Sequence, residues 1–342
     1  MKSSIAPKLA LLLFCCGALT AQVSSLDQAR KATEQHPNSA EAQNALGEAL
    51  DEAGQLQPAR DAFARAVKLK STFGQAYSNL GLVCLQMNDL SAAAANLDRA
   101  ISLLGKSPDA GFALYLRAKI YTRQSENEKA LEALNRAVVL RPDLAEAWSD
   151  LGTARKTLLD DSGALSAYQH AVDLKPDDPV AQGRLGSEYL RQDKPQQAAG
   201  HLQRAYEGNP KDQSTLNSLQ TALRRAGKLE EADRVKAELA QLLAERDRAS
   251  QNAVAAIKLN NEGATLEKSG DLAGAAKKYG QALELYPDHV GIRVNYAVAL
   301  LRTGEWPEGL KQLREALRRD PANAQIQAAL KDALAQAPPS AR

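Results

Sequence analysis

The sequence predicts an all-α solenoid of about eight antiparallel helix pairs closed by capping helices, and three observations carry that prediction. Its 342 residues are 44% hydrophobic, 25% charged and only 4% aromatic. That balance suits helices built on alanine and leucine and excludes a chain disordered throughout. Landmarks recur every 34 residues: Gly47 and Gly81, Gly152 and Gly186, Pro142, Pro176 and Pro210, then Pro287 and Pro321. Gly54, Gly227, Gly270 and Gly304 stand at one equivalent place between paired helices, where a left-handed residue closes the first helix. Length alone would suggest two globular domains, but internal repetition overrides that prior.

The first residues differ from all that follow. Lys2 and Lys8 precede an apolar run from Leu9 to Ala18, and small residues lead to Ala21 and Gln22. This is the layout of a secretory signal peptide, residues 1–21, with cleavage after Ala21. A buried first helix or an uncleaved anchor are the competing readings; signal and anchor alike export the remainder, since the lysines stay in the cytoplasm. Cys15 or Cys16 as a lipid-attachment cysteine fits poorly, because Phe14 or Cys15 precedes it where small residues are expected. The localisation expected is therefore periplasmic or secreted. Removing Lys2 and Lys8 from 43 basic residues, and no acid from 41, leaves 41 of each. A neutral mature chain argues against nucleic-acid binding. Cys84 then remains alone, so no intrachain disulfide forms.

The fullest repeat reads Trp148-x-x-Leu151-Gly152, then Ala164-x-x-x-Tyr168, Ala171 and Pro176. Gly152 and Ala164 let two antiparallel helices approach closely; Trp148, Leu151 and Tyr168 fill the space around them, and Pro176 ends the second helix. This pattern resembles the tetratricopeptide repeat at nearly every signature position. The resemblance implies a right-handed superhelical solenoid. In register, the repeats are 40–73, 74–107, 111–144 after three extra residues, 145–178, 179–212, a degenerate sixth from Gln213 with Gln220 and Lys236 at core positions, then 256–289 and 290–323. The domain reading is a capping helix in 22–39, repeats one to six with an extended last helix in 40–255, repeats seven and eight in 256–323, and a capping helix with a short tail in 324–342. Caps hide the apolar face that a terminal repeat would expose. From Lys228 to Glu262 there is neither glycine nor proline, so this segment is either two overlong helices turning near Ser250 or one straight helix; propensity does not separate them.

No catalytic constellation emerges. His36 and His289 flank proline-marked loops, and His170 and His201 lie on second helices as solvated residues, with no HExxH pair and no cysteine partners. Cys84 takes a core position filled by tyrosine in other repeats. Phosphate loops and G-x-S-x-G elbows are missing from the sequence, and Asp160-Asp161, Asp177-Asp178 and Glu230-Glu231 suit helix starts. No cofactor, metal or small-molecule substrate is expected.

The resemblance implies that first helices line the concave face, with residues two, five, six, nine, twelve and thirteen of each repeat facing a protein or peptide partner. Asn44, Asn79, Asn217, Asn260, Asn261 and Asn295 fall there, and an amide can bond both N–H and C=O of an extended peptide; plain solvation is the competing reading. Arg123, Lys156, Arg191, Arg224, Lys268 and Arg302 recur near the ends of successive first helices, while the first repeat carries Glu41, Glu48 and Asp51. They form either a graded groove for an acidic segment or a set of cations favoured by the helix dipole. The two-carboxylate clamp of chaperone-binding relatives needs a Lys and Asn set in its first repeats, which Asn44 and Glu48 do not supply. The function expected is an exported adaptor or scaffold, with a self-associating component of an envelope assembly as the alternative.

Overall fold

Glycine and proline recur so often in this chain that most of its helices are short, and the fold follows that punctuation outside 228–262, where neither occurs. The computed structural model describes residues 25–339; the expected signal, residues 1–21, lies outside them. All regular structure among the described residues is helical. A first helix, α1, covers 25–35. Five pairs follow: α2 (Ala40–Glu52) with α3 (Leu56–Leu69), α4 (Gly74–Gln86) with α5 (Leu90–Leu104), α6 (Pro108–Arg123) with α7 (Asn127–Leu140), α8 (Ala145–Thr157) with α9 (Asp161–Leu174), and α10 (Pro179–Arg191) with α11 (Pro195–Gly208). After them come α12 (Gln213–Arg225), the long α13 (Leu229–Lys268), α14 (Leu272–Leu285), α15 (Val290–Thr303), α16 (Trp306–Arg319) and α17 (Ala324–Gln336).

Two compact units divide the chain, 1–235 and 236–342. Within the first, each helix from α2 to α12 packs on the next, and first helices also meet the first helices of neighbouring repeats: α2 with α4, α4 with α6, α8 with α10, and α10 with α12. Second helices make no comparably close contact with one another. A stack whose first helices crowd together while its second helices spread apart curves with the first helices inside. In the second unit, α14 packs on α15, α15 on α16 and α16 on α17. Its core gathers Tyr279 with Leu300, and Leu310 and Leu313 with Ala333.

The signature glycine marks the closest approach within a pair. A Cβ placed on Gly152 would stand 2.5 Å from two carbons of the Tyr168 ring, and the same crowding recurs between Gly47 and Phe63 and between Gly186 and Leu202. The sixth repeat lacks this contact: Gln220 replaces the glycine, and Lys236 is exposed where Tyr168 is buried. The three extra residues before the third repeat lengthen the start of α6, where Pro108 occupies the first turn and the Ser107 hydroxyl accepts from the Ala110 N–H.

First helices end in a left-handed residue at Gly54, Gly227, Gly270 and Gly304, as the spacing predicts, and also at Asn88, Ser125, Leu159 and Asp193. Leu159 sits at φ +63° with its side chain almost wholly in water. A left-handed leucine costs about 1–2 kcal/mol, and its side chain recovers little of that by packing. Leu159→Gly is therefore expected to raise stability by about 1 kcal/mol, read as a higher urea midpoint, the greater chain entropy of glycine offsetting part of the relief. A lowered midpoint would show that the leucine makes contacts in solution that its exposure here denies.

The regularly spaced prolines do more than stop helices. Trp148, Gln182, Arg293 and Gln327 each donate a hydrogen bond to the carbonyl of the proline six residues earlier, namely Pro142 at 2.8 Å, Pro176 at 2.6 Å, Pro287 at 2.5 Å and Pro321 at 2.7 Å. The fourth residue of a repeat thus closes the loop that enters it.

The open question over 228–262 resolves to one helix. α13 runs 40 residues without interruption, about 60 Å at 1.5 Å per residue. Residues 244–251 within it are all exposed.

Candidate partner-binding face

The face built by α6, α8, α10 and α12 carries an open cleft of about 770 Å³. Its lining includes Thr153, Lys156 and Thr157 from α8, Val180, Gly183, Arg184 and Ser187 from α10, and Ser214 and Thr215 from α12. Counted from repeat starts at Ala145 and Pro179, those on α8 and α10 are positions nine, twelve and thirteen, then two, five, six and nine. Gly183 leaves the floor low: the nearest atoms to a Cβ there would be 3.6 Å away. A smaller cleft, lined by Lys119, Thr122, Arg123 and Asp150, shares Thr153, Thr157 and Arg184 with the first.

Most polar groups in this region have partners. Arg184 Nη1 donates to Ser149 Oγ at 2.7 Å and to Asp150 Oδ1 at 2.9 Å. The Tyr168 hydroxyl lies 3.2 Å from Thr153 Oγ1. Asp212 caps α12 by accepting from the Thr215 N–H at 2.8 Å, and the hydrogen bond from the Thr215 hydroxyl holds its carboxyl below the usual range. Lys156 makes no hydrogen bond or ion pair among the described residues.

The asparagines divide into two kinds. Asn44 is buried, and Asn79 Nδ2 donates both to Asn44 Oδ1 at 3.1 Å and to Glu48 Oε1 at 2.9 Å, so neighbouring first helices are tied by amides 35 residues apart. Asn295 Nδ2 repeats this on Asn260 Oδ1 at 2.9 Å. Asn217 donates to the Gln213 carbonyl of its own helix, and Asn261 is exposed.

The cations divide likewise. Arg123 reaches back to the Leu85 carbonyl and Asn88 Oδ1, both at 3.4 Å, and so closes the end of α4. Arg191 bonds Glu188, whose side chain is fully buried, and Asp161. Arg224 pairs with Asp233 at 3.0 Å, and Arg302 pairs with Glu267. Lys156 and Lys268 point into solvent. In the first repeat Glu41 pairs with Lys70 at 2.8 Å, and burial raises the Asp51 carboxyl above its ordinary range. Sequence reasoning singled out asparagines and helix-end cations and did not name Thr153, Arg184 and Ser187, which line the cleft and belong to neither series. The signal available was the position count itself.

Three of the four histidines have structural partners. His289 Nδ1 accepts from the Ile292 N–H and caps α15, and His170 meets Trp148 edge-on at 4.5 Å. His201 is no freely solvated residue. It stacks on Tyr189 at 5.4 Å, its Nδ1 lies 2.8 Å from Gln182 Oε1, and burial followed by the nearby Arg204 lowers its pKa. A lowered folded pKa favours the neutral ring, so this contribution is present above the unfolded pKa and lost as pH falls below about 6.5. Between about pH 7.5 and about 5 the stability of the native chain is expected to drop more than that of His201→Gln. Parallel urea titrations would refute this if both lines have one slope. Among the described residues no His, Cys, Asp and Glu group could hold a metal ion, and no helix is long and apolar enough to cross a membrane.

Three family models, each described as tetratricopeptide repeat, match residues 24–72 and 78–145, 116–183, and 266–340. The chain carries tetratricopeptide repeats. Protein FlbA of Caulobacter vibrioides is 32% identical over 176 residues, covering 51% of this chain and 28% of FlbA. The heat-shock cognate co-chaperone sgt12 of Aspergillus fumigatus is 29% identical over 177 residues, covering 51% of this chain and 44% of sgt12. The chain thus spans less than half the length of these curated relatives. Among solved structures, YrrB, described as a tetratricopeptide-repeat protein with an unusual peptide-binding site, aligns over 56% of this chain and 96% of its own, with 21% identity and a TM-score of 0.44. Helix-pair repeats of this family form a protein-interaction fold, and the helical architecture here agrees with it.

Proposed function

We propose that this tetratricopeptide-repeat chain is an exported scaffold that holds an extended peptide or partner protein along the inner face of its first helices, with no catalysis of its own. The observation that supports the reading best is the cleft over α8, α10 and α12, whose lining on α8 and α10, Pro179 apart, falls at the contact positions of the repeat. The exposed Lys156 and the half-buried Arg184 stand beside the apolar Val180, which is 57% exposed. A groove mixing an apolar anchor with a few fixed polar groups suits a peptide better than a reacting small molecule. Signal cleavage after Ala21 and residence outside the cytoplasm complete the proposal.

The test uses the chain from Gln22 as bait in an extract of the native compartment, followed by identification of what binds. Lys156→Ala, Asn217→Ala and Asn261→Ala combined are expected to abolish capture of a discrete partner while leaving the melting curve unchanged. Capture insensitive to that triple variant would sink the reading. Finding the unprocessed chain only in the cytoplasm would remove the export half. A second reading, self-association, rests on Val254 and Ile257, which are 68% and 48% exposed on α13. Light scattering that stays monomeric at high concentration would exclude it.

A further inference from the structure

We infer that the continuous cleft from α6 to α12 selects an acidic extended segment, an inference that rests on the peptide-holding reading above and adds the charge of its ligand. The two clefts that share Thr153, Thr157 and Arg184 are lined by four cations, Lys119, Arg123, Lys156 and Arg184, against two carboxylates. Both carboxylates are already occupied: Asp150 by Arg184, and Asp212 by the Thr215 N–H that it caps. Arg123 is taken up by the Leu85 carbonyl and Asn88 at the end of α4, and the other three cations are less committed. Arg184 engages Asp150 and Ser149 through Nη1 alone, Lys119 meets Tyr115 through its hydroxyl at 3.4 Å and its ring at 5.3 Å, and Lys156 has no partner among the described residues. An excess of positive charge in a concave wall, in a chain otherwise near neutrality, focuses its field on the groove. Val180 and Gly183 supply an apolar step beside these cations, so the fitting ligand alternates carboxylates with small apolar residues. Along an extended strand such side chains alternate at about 3.3 Å per residue.

The probe is a fluorescein-labelled decapeptide alternating glutamate with valine, compared by anisotropy with its glutamine counterpart. The acidic peptide is expected to bind about tenfold tighter, and Lys119→Gln with Lys156→Gln together to remove most of that advantage. Raising salt from about 50 to about 300 mM should weaken it severalfold. Lys277→Gln, which removes a like charge from the second helix α14, should leave binding unchanged. Circular dichroism confirms that the variants fold. Equal binding of both peptides overturns the charge selection and leaves the peptide-holding reading standing. Binding of neither overturns the inference, and the compartment capture then decides that reading separately. Concentration-dependent self-association that Lys119→Gln with Lys156→Gln abolishes, and that the acidic peptide does not compete, assigns the cleft to a second copy and also overturns it.

Discussion

Gly152→Ala and Gly200→Ala are expected to shift stability in opposite directions, although each adds one methyl group to a glycine inside a helix. At Gly152 the new Cβ would lie 2.5 Å from Cδ1 and Cε1 of Tyr168. That ring is 3% exposed, and its hydroxyl is 3.2 Å from Thr153 Oγ1, so it cannot withdraw without losing packing and a hydrogen bond. Forcing a methyl group into such a contact costs about 1–3 kcal/mol. At Gly200, on the exposed side of α11, no atom lies within 4 Å of a Cβ, and alanine should stabilise the helix by about 1 kcal/mol. Urea denaturation of the two variants with the native chain checks the pair. A neutral or stabilising Gly152→Ala would mean that α8 and α9 separate more easily than the close contact implies.

Ser250→Pro carries the second large effect. Residues 244–251 of α13 are exposed on every side, so this stretch is held by backbone hydrogen bonds and helix propensity rather than by a core. Proline removes one of those bonds and clashes with the preceding turn, at about 3 kcal/mol. The expected result is a loss of ellipticity at the helix minimum and rapid trypsin cleavage after Arg246 and Arg248, while Ser250→Ala keeps or improves both. If the native chain is already cut there as fast as the proline variant, α13 is broken in solution.

Much of the architecture is written locally. The 34-residue step, the small residues at close approaches and the glycines at helix ends each depend on a few neighbouring residues, and periodicity exposes them. What escaped depends on partners far along the chain. Asn79 looks like a free amide until Asn44 and Glu48 arrive from the preceding helix, and Arg123 looks like a groove cation until it meets the end of α4. Leu159 is forced into the left-handed region by the turn between α8 and α9, against its own preference, so no propensity scale announces it. His201 resembled a surface residue because nothing local shows that Tyr189 covers it. The single long α13 was undecidable for another reason: two helices and one share the same composition, and only the missing turn distinguishes them.

The hydrogen bonds from fourth residues to proline carbonyls have a consequence for how the array comes apart. Each such bond fastens the entrance of one repeat to the exit of the repeat before it, a nearest-neighbour coupling of the kind that makes linear arrays melt in blocks. Pro210, the remaining member of the regularly spaced set, faces Leu216 at the fourth position, which has no donor to offer. The sequence places this missing fastener at the entry to the degenerate sixth repeat, which also lacks the glycine contact. Hydrogen exchange should therefore find a seam of low cooperativity between α11 and α12, where the array unzips before either of its neighbours.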